Sequence, residues 1–155
     1  MRALAHRLAT VTAGLLAVSG LAGCAGQTET YCSTIRDDKP TLEQMSSMSG
    51  KGRDAFDQSL STFKDLRGKA PHDVAGDWAT FVSAWQGLVD AFDATSAPPS
   101  AFQGGRRPPG VGEGQFQAVR QAAQELQSTR VLEAAQGIEQ HAADVCHVEL
   151  GKSGL

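Results

Sequence analysis

One stretch constrains the fold more than any other. Between Pro71 and Asp93, the residues Val74, Trp78, Phe81, Val82, Trp85, Leu88, Val89 and Phe92 recur at spacings of three and four. That is the period of an α-helix with one apolar face. Asp73, Asp77, Thr80, Gln86, Asp90 and Asp93 fall largely outside the stripe. Pro71 suits a first helical turn, because its missing N–H has no helical partner there. Asp73 and Asp77 place negative charge near the positive end of the helix dipole. Two Trp and two Phe on one stripe can be read as a ligand box or as the core face of a bundle, and the core face is the simpler reading.

The rest of the chain repeats the helical period. Arg53 to Arg67 carries Phe56, Leu60, Phe63 and Leu66, and Gly68 to Pro71 makes a short connection between antiparallel neighbours. Upstream, Tyr31 and Ile35 form a short apolar face beside Cys32. Pro40 is expected to end or kink that helix. Leu42, Met45 and Met48 then form a second short piece before Ser49-Gly50. Alternating β-branched runs are missing. After the central helix, residues 96–114 read SAPPSAFQGGRRPPGVGEG, so a flexible insertion without regular structure is expected. Helical spacing returns with Phe116, Val119, Ala123 and Leu126. Ser128 or Thr129 offers a new cap, and the last helix carries Val131, Ala135, Ile138, Ala142, Val145 and Cys146. The expected fold is all-α, a single bundle of about four to five helices over residues 31–150, with a tail at 151–155 that starts at the helix-stopping Gly151.

The N-terminus reads differently. Arg2, His6 and Arg7 precede an uncharged run from Leu8 to Val18. A positive start and a short apolar run form a secretion signal; the run is shorter than the roughly 20 residues a membrane span needs. Leu21-Ala22-Gly23-Cys24 resembles the lipobox of bacterial lipoproteins. The resemblance implies cleavage after residue 23, a diacylglycerol on Cys24, a tether over 24–30 and an extracytoplasmic, membrane-anchored location. Two acyl chains supply the stable anchoring that one chain does not.

Cys32 and Cys146 are then the remaining pair. On the oxidising side of a membrane they are expected to bridge the first and last helices. The alternatives are free thiols, or a metal site with His141 and His147. Tyr31 to Ile35 (YCSTI), Ala70 to Trp78 (APHDVAGDW) and Val131 to Cys146 (VLEAAQGIEQHAADVC) resemble, with the lipobox, the small secreted lipoproteins of actinobacteria. That resemblance also implies that the early and late cysteines pair. The stretch from Gly104 to Gly114 lies outside it.

Signals for chemistry are sparse. The full chain has a formal charge of -3. An acidic balance argues against nucleic acid, which demands a basic stripe. Ser61-Thr62-Phe63-Lys64 matches S-x-x-K, and Lys152-Ser153-Gly154 resembles the K-T-G element, but S-D-N is missing and the chain is too short for that fold. His141 and Asp144 share a helix face, yet the repeated Glu-x-x-His pattern of a bundle metal site is absent, so the histidines are read as surface residues. Asp37 and Asp38 point in different directions on a helix, which does not suit paired acid and base work. Phe102, Arg106 and Arg107 form a possible interaction loop for an anionic lipid or a partner protein. No catalytic residue, metal ligand or cofactor is assigned. The expectation is a non-enzymatic binding or interaction module, bound to the membrane through Cys24 and meeting an envelope protein or apolar ligand. The alternatives are an accessory or hydrolytic enzyme of the envelope and a small apolar-ligand or lipid binder.

Overall fold

The computed structural model describes residues 22–45 and 52–150. The segment through Leu21 that reads as a signal, the residues Met48, Ser49 and Gly50, and the 151–155 tail with Gly151 lie outside them. Among the described residues the chain is all-α. The helices are α1 (Ala22–Met45), α2 (Arg53–Lys69), α3 (His72–Asp93), α4 (Glu113–Leu126) and α5 (Thr129–Asp144), with a single 3-10 turn at Pro99–Phe102. None of these helices is long and apolar enough to cross a membrane.

The stripe read from the sequence becomes the centre of the bundle. Val74, Trp78, Phe81, Val82, Leu88, Val89 and Phe92 are all buried on α3. α3 packs against α2, α4 and α5, while α1 packs on α2. Contacts at the helix ends set the directions. The Gln27 side-chain amide, near the start of α1, donates to the Ala70 carbonyl just past α2, at 3.0 Å. Arg53, at the start of α2, meets Asp93 at the end of α3. α1, α2 and α3 therefore run antiparallel in turn.

α4 and α5 share the remaining side of α3. Gln115, in the first turn of α4, donates to the Ala94 carbonyl just beyond α3. His141, late in α5, meets Asp73 at the start of α3. Both helices thus run antiparallel to α3, α4 along its C-terminal half and α5 along its N-terminal half. The break between them is short. Ser128 caps α5, its hydroxyl accepting from the Val131 N–H, which satisfies one donor the helix start leaves open.

Two apolar clusters result. The larger holds Tyr31, Ile35, Leu42, Phe63, Leu66, Trp78 and Ile138 together with the disulfide. The smaller holds Leu88, Phe92 and Val119, with Phe102 packed against it. Phe56 and Leu126 touch both clusters. Full burial of each large side chain is worth roughly 1.5–3 kcal/mol, so the aromatic stripe is core and holds the bundle together.

Four expectations need correction. Pro40 does not break α1, which runs through it. Ile35 before it and Leu42 after it are both fully buried, and their packing offsets the roughly 3 kcal/mol that an internal proline costs. The segment 96–114 is not an unstructured insertion. Pro99 and Val111 are buried, residues 99–102 form the 3-10 turn, and α4 already begins at Glu113. Finally, α5 ends at Asp144, so Cys146 lies just beyond the last helix rather than within it. The stretch 24–30, read as a tether, belongs to α1.

Candidate functional site

Cys32 and Cys146 form a disulfide with a Cα–Cα separation of 4.9 Å, inside the usual bridging range of about 4.4–6.8 Å. Cys32 sits on the buried face of α1 beside Tyr31 and Ile35, and both sulfur-bearing residues are buried. The residues after the bridge continue inward, since Val148 and Leu150 are also buried. Arg36 of α1 donates to the Cys146 carbonyl at 3.5 Å. Cys146 is therefore occupied and offers no thiolate to a metal. His147 is exposed and takes a positive φ of 56° as the chain turns.

The same end of the bundle holds a polar cluster that runs from the buried Tyr31 and Trp78 out to the exposed Asp73. The Trp78 indole N–H donates to the Tyr31 hydroxyl at 2.8 Å. The Tyr31 ring meets the His141 ring edge to face, with centroids 5.5 Å apart. His141 Nε2 lies 3.2 Å from Asp73 Oδ2. The His141 side chain is only 9% exposed, against 67% for Asp73, so His141 is not the surface residue expected. Its Nδ1 is buried without a hydrogen-bond partner. The placement was legible in part: His141 follows Ile138 by three, on the stripe that also carries Val131 and Ala134.

This cluster lacks the geometry of a nucleophilic site. A histidine base acts on a hydroxyl or thiol within hydrogen-bond reach. The Tyr31 hydroxyl accepts from Trp78 instead, and burial, against the opposing Trp78 bond and with added charge from Asp73, pushes its pKa up to about 12. Asp37 and Asp38 form no working pair either. Burial, and then Asp65 of α2, raise the Asp38 carboxyl above its usual range, while Asp37 is exposed. Ser61 and Lys64 are both exposed on α2. Lys152 lies outside the described residues.

The loop residues Phe102, Arg106 and Arg107 do not act as one exposed unit. Phe102 packs between Phe92 and Phe116, with ring centroids 5.5 and 6.4 Å away. Arg107 holds the loop shut, donating to the Val111 carbonyl at 2.8 Å and lying 3.4 Å from Glu113. Arg106 alone of the three is exposed without such a role. Gly104, Gly105 and Gly110 take positive φ values, which glycine adopts without a Cβ penalty. Between residues 96–98 and 108–111 a cleft of about 300 Å³ opens, lined mainly by Pro and Ala.

Two features had no sequence signal. Arg53 Nη2 donates to the carbonyls of Phe92, Thr95 and Ala97 at 3.0–3.2 Å, closing the C-terminal end of α3. Gly137 admits the Asp77 carboxylate so closely that a Cβ there would sit 2.3 Å from Oδ2. Both contacts join residues distant in the chain.

Comparison with protein-family models, curated proteins and solved structures finds no match for this chain.

Proposed function

We propose that this chain is an extracytoplasmic lipoprotein of the small actinobacterial kind, anchored through lipid on Cys24, whose helical domain is a non-enzymatic binding or interaction module. The observation that carries the reading is the sequence Leu21-Ala22-Gly23-Cys24 directly ahead of a domain closed by the Cys32–Cys146 disulfide. A structural disulfide belongs to an oxidising compartment, which agrees with export. Cys24 is the one cysteine outside the bridge. Apart from the half-buried Trp85, the aromatic stripe is consumed by the core, so recognition falls to the outer surface of the helices and to the loop between α3 and α4. An apolar ligand, the second reading, finds its support in the Pro- and Ala-lined cleft of that loop.

The test is metabolic labelling with an alkyne fatty acid. The wild-type chain should carry the label and partition with membranes, and Cys24→Ala should do neither. Label on the Cys24→Ala chain would refute the anchor. Crosslinking of the anchored protein in cells, followed by mass spectrometry, then identifies what the domain meets.

A further inference from the structure

We infer that the corner between α2 and α3, residues 67–72, rests on the anionic headgroups of the membrane that holds the protein. This inference rests on the anchor proposed at Cys24. α1 begins at Ala22 and runs on into the bundle, so Cys24 belongs to the same helix as the core residue Tyr31. Gln27 lies three residues further on, about 4.5 Å along the helix axis, and its side chain is bonded to the Ala70 carbonyl. Acyl chains on Cys24 therefore bring the bilayer surface to within about one helical turn of that corner.

The charge of the corner fits that neighbour. The chain without its first 23 residues carries a formal -5: the full chain is -3, and Arg2 and Arg7 leave with the signal. Yet residues 67–72 hold Arg67, Lys69 and His72 and no carboxylate. Arg67 and His72 are exposed. Lys69 pairs with Asp65 one turn back, at 2.6 Å, with both side chains open to solvent. Exposed pairs of this kind are weak, so a lipid phosphate competes for the ammonium. Asp73, the next acid along the chain, is turned to His141 of α5. Each cation close to an anionic leaflet strengthens its attraction about fivefold.

The experiment uses the chain from Cys24 to Leu155, disulfide intact, coupled by the Cys24 thiol to a maleimide lipid in vesicles. Chemical coupling imposes the anchor whether or not a cell lipidates Cys24, so failure here and failure of the fatty-acid labelling above are separate results. Amide hydrogen exchange is compared between phosphatidylglycerol and phosphatidylcholine vesicles. Exchange at residues 67–70 and 72–74 should slow severalfold on phosphatidylglycerol. The double variant Arg67→Gln/Lys69→Gln should lose that slowing while its circular dichroism stays unchanged. Equal exchange on both vesicles, slowing that survives the double variant, or slowing confined to residues 96–112 would overturn the proposal.

Discussion

Tyr31 and Trp78 are both fully buried, and the Trp78 indole N–H donates to the Tyr31 hydroxyl at 2.8 Å. This bond joins α1 to α3 across 47 residues of chain. Tyr31→Phe removes the acceptor and leaves the indole N–H unpaired in the core. Stability should fall by about 1–3 kcal/mol, read by urea denaturation with tryptophan fluorescence.

The same tyrosine predicts an alkaline transition. Its pKa is raised to about 12 in the fold and lies near 10 in the unfolded chain. The unfolded state therefore releases the proton first. The contribution is complete below about pH 10 and disappears as pH rises toward 12, a change of roughly 2–3 kcal/mol. Tyr31 is the only tyrosine, so tyrosinate absorbance reports on it alone. A midpoint near 10 in the folded protein would contradict the buried bond.

The disulfide spans 114 residues. In the chain-entropy view, closing so long a loop is worth up to about 4–5 kcal/mol, less where the reduced chain keeps structure. Cys32→Ser/Cys146→Ser should lower the denaturation midpoint accordingly. Thiol alkylation of the unfolded, unreduced chain should spare both cysteines.

Arg53 collects three carbonyls and the Asp93 carboxylate. Arg53→Ala should cost about 1–3 kcal/mol. Arg53→Lys should recover little, because one ammonium does not reproduce the guanidinium fork. Full rescue by lysine would show that charge alone matters there.

Deleting residues 104–112 should destabilise the protein markedly. The deletion removes the buried Val111 and the Arg107 bond to its carbonyl. It also removes Gly112, whose N–H donates to Gln115 at the start of α4. An unchanged melting temperature would mean that the loop contributes no packing.

Gly137→Ala brings two opposed effects. Alanine favours a helix by about 1 kcal/mol over glycine, while a Cβ at 137 makes the end of the half-exposed Asp77 side chain swing aside. The single variant should therefore gain less than about 1 kcal/mol. In an Asp77→Ala background the same change should stabilise by the full amount of about 1 kcal/mol, and equal gains in the two backgrounds would show that Asp77 does not crowd residue 137.

Much of the bundle follows from local pattern. Val74 to Phe92 keep one apolar stripe at helical spacing, and burial against neighbours is the one arrangement that removes that stripe from water. Pro71 and Ser128 announce helix starts because their chemistry suits open helix ends. Cys32 and Cys146 suggest their own pairing once the lipobox-like Leu21-Ala22-Gly23-Cys24 sets Cys24 apart. Long-range packing decided the rest. Pro40 argues locally for a break, and the burial of Ile35 and Leu42 on either side outweighs it. The Pro- and Gly-rich run from 96 to 114 argues for a solvated loop, and Phe102 finds in Phe92 and Phe116 the apolar partners that only the assembled α3–α4 pair supplies. His141 reads as polar and therefore exposed. Its side chain is largely covered because α5 lies antiparallel on α3 and sets that ring against Tyr31 and Asp73. Sequence spacing reports the periodicity of one element, whereas the cost of a proline, a loop or a polar ring depends on what the other elements place around it.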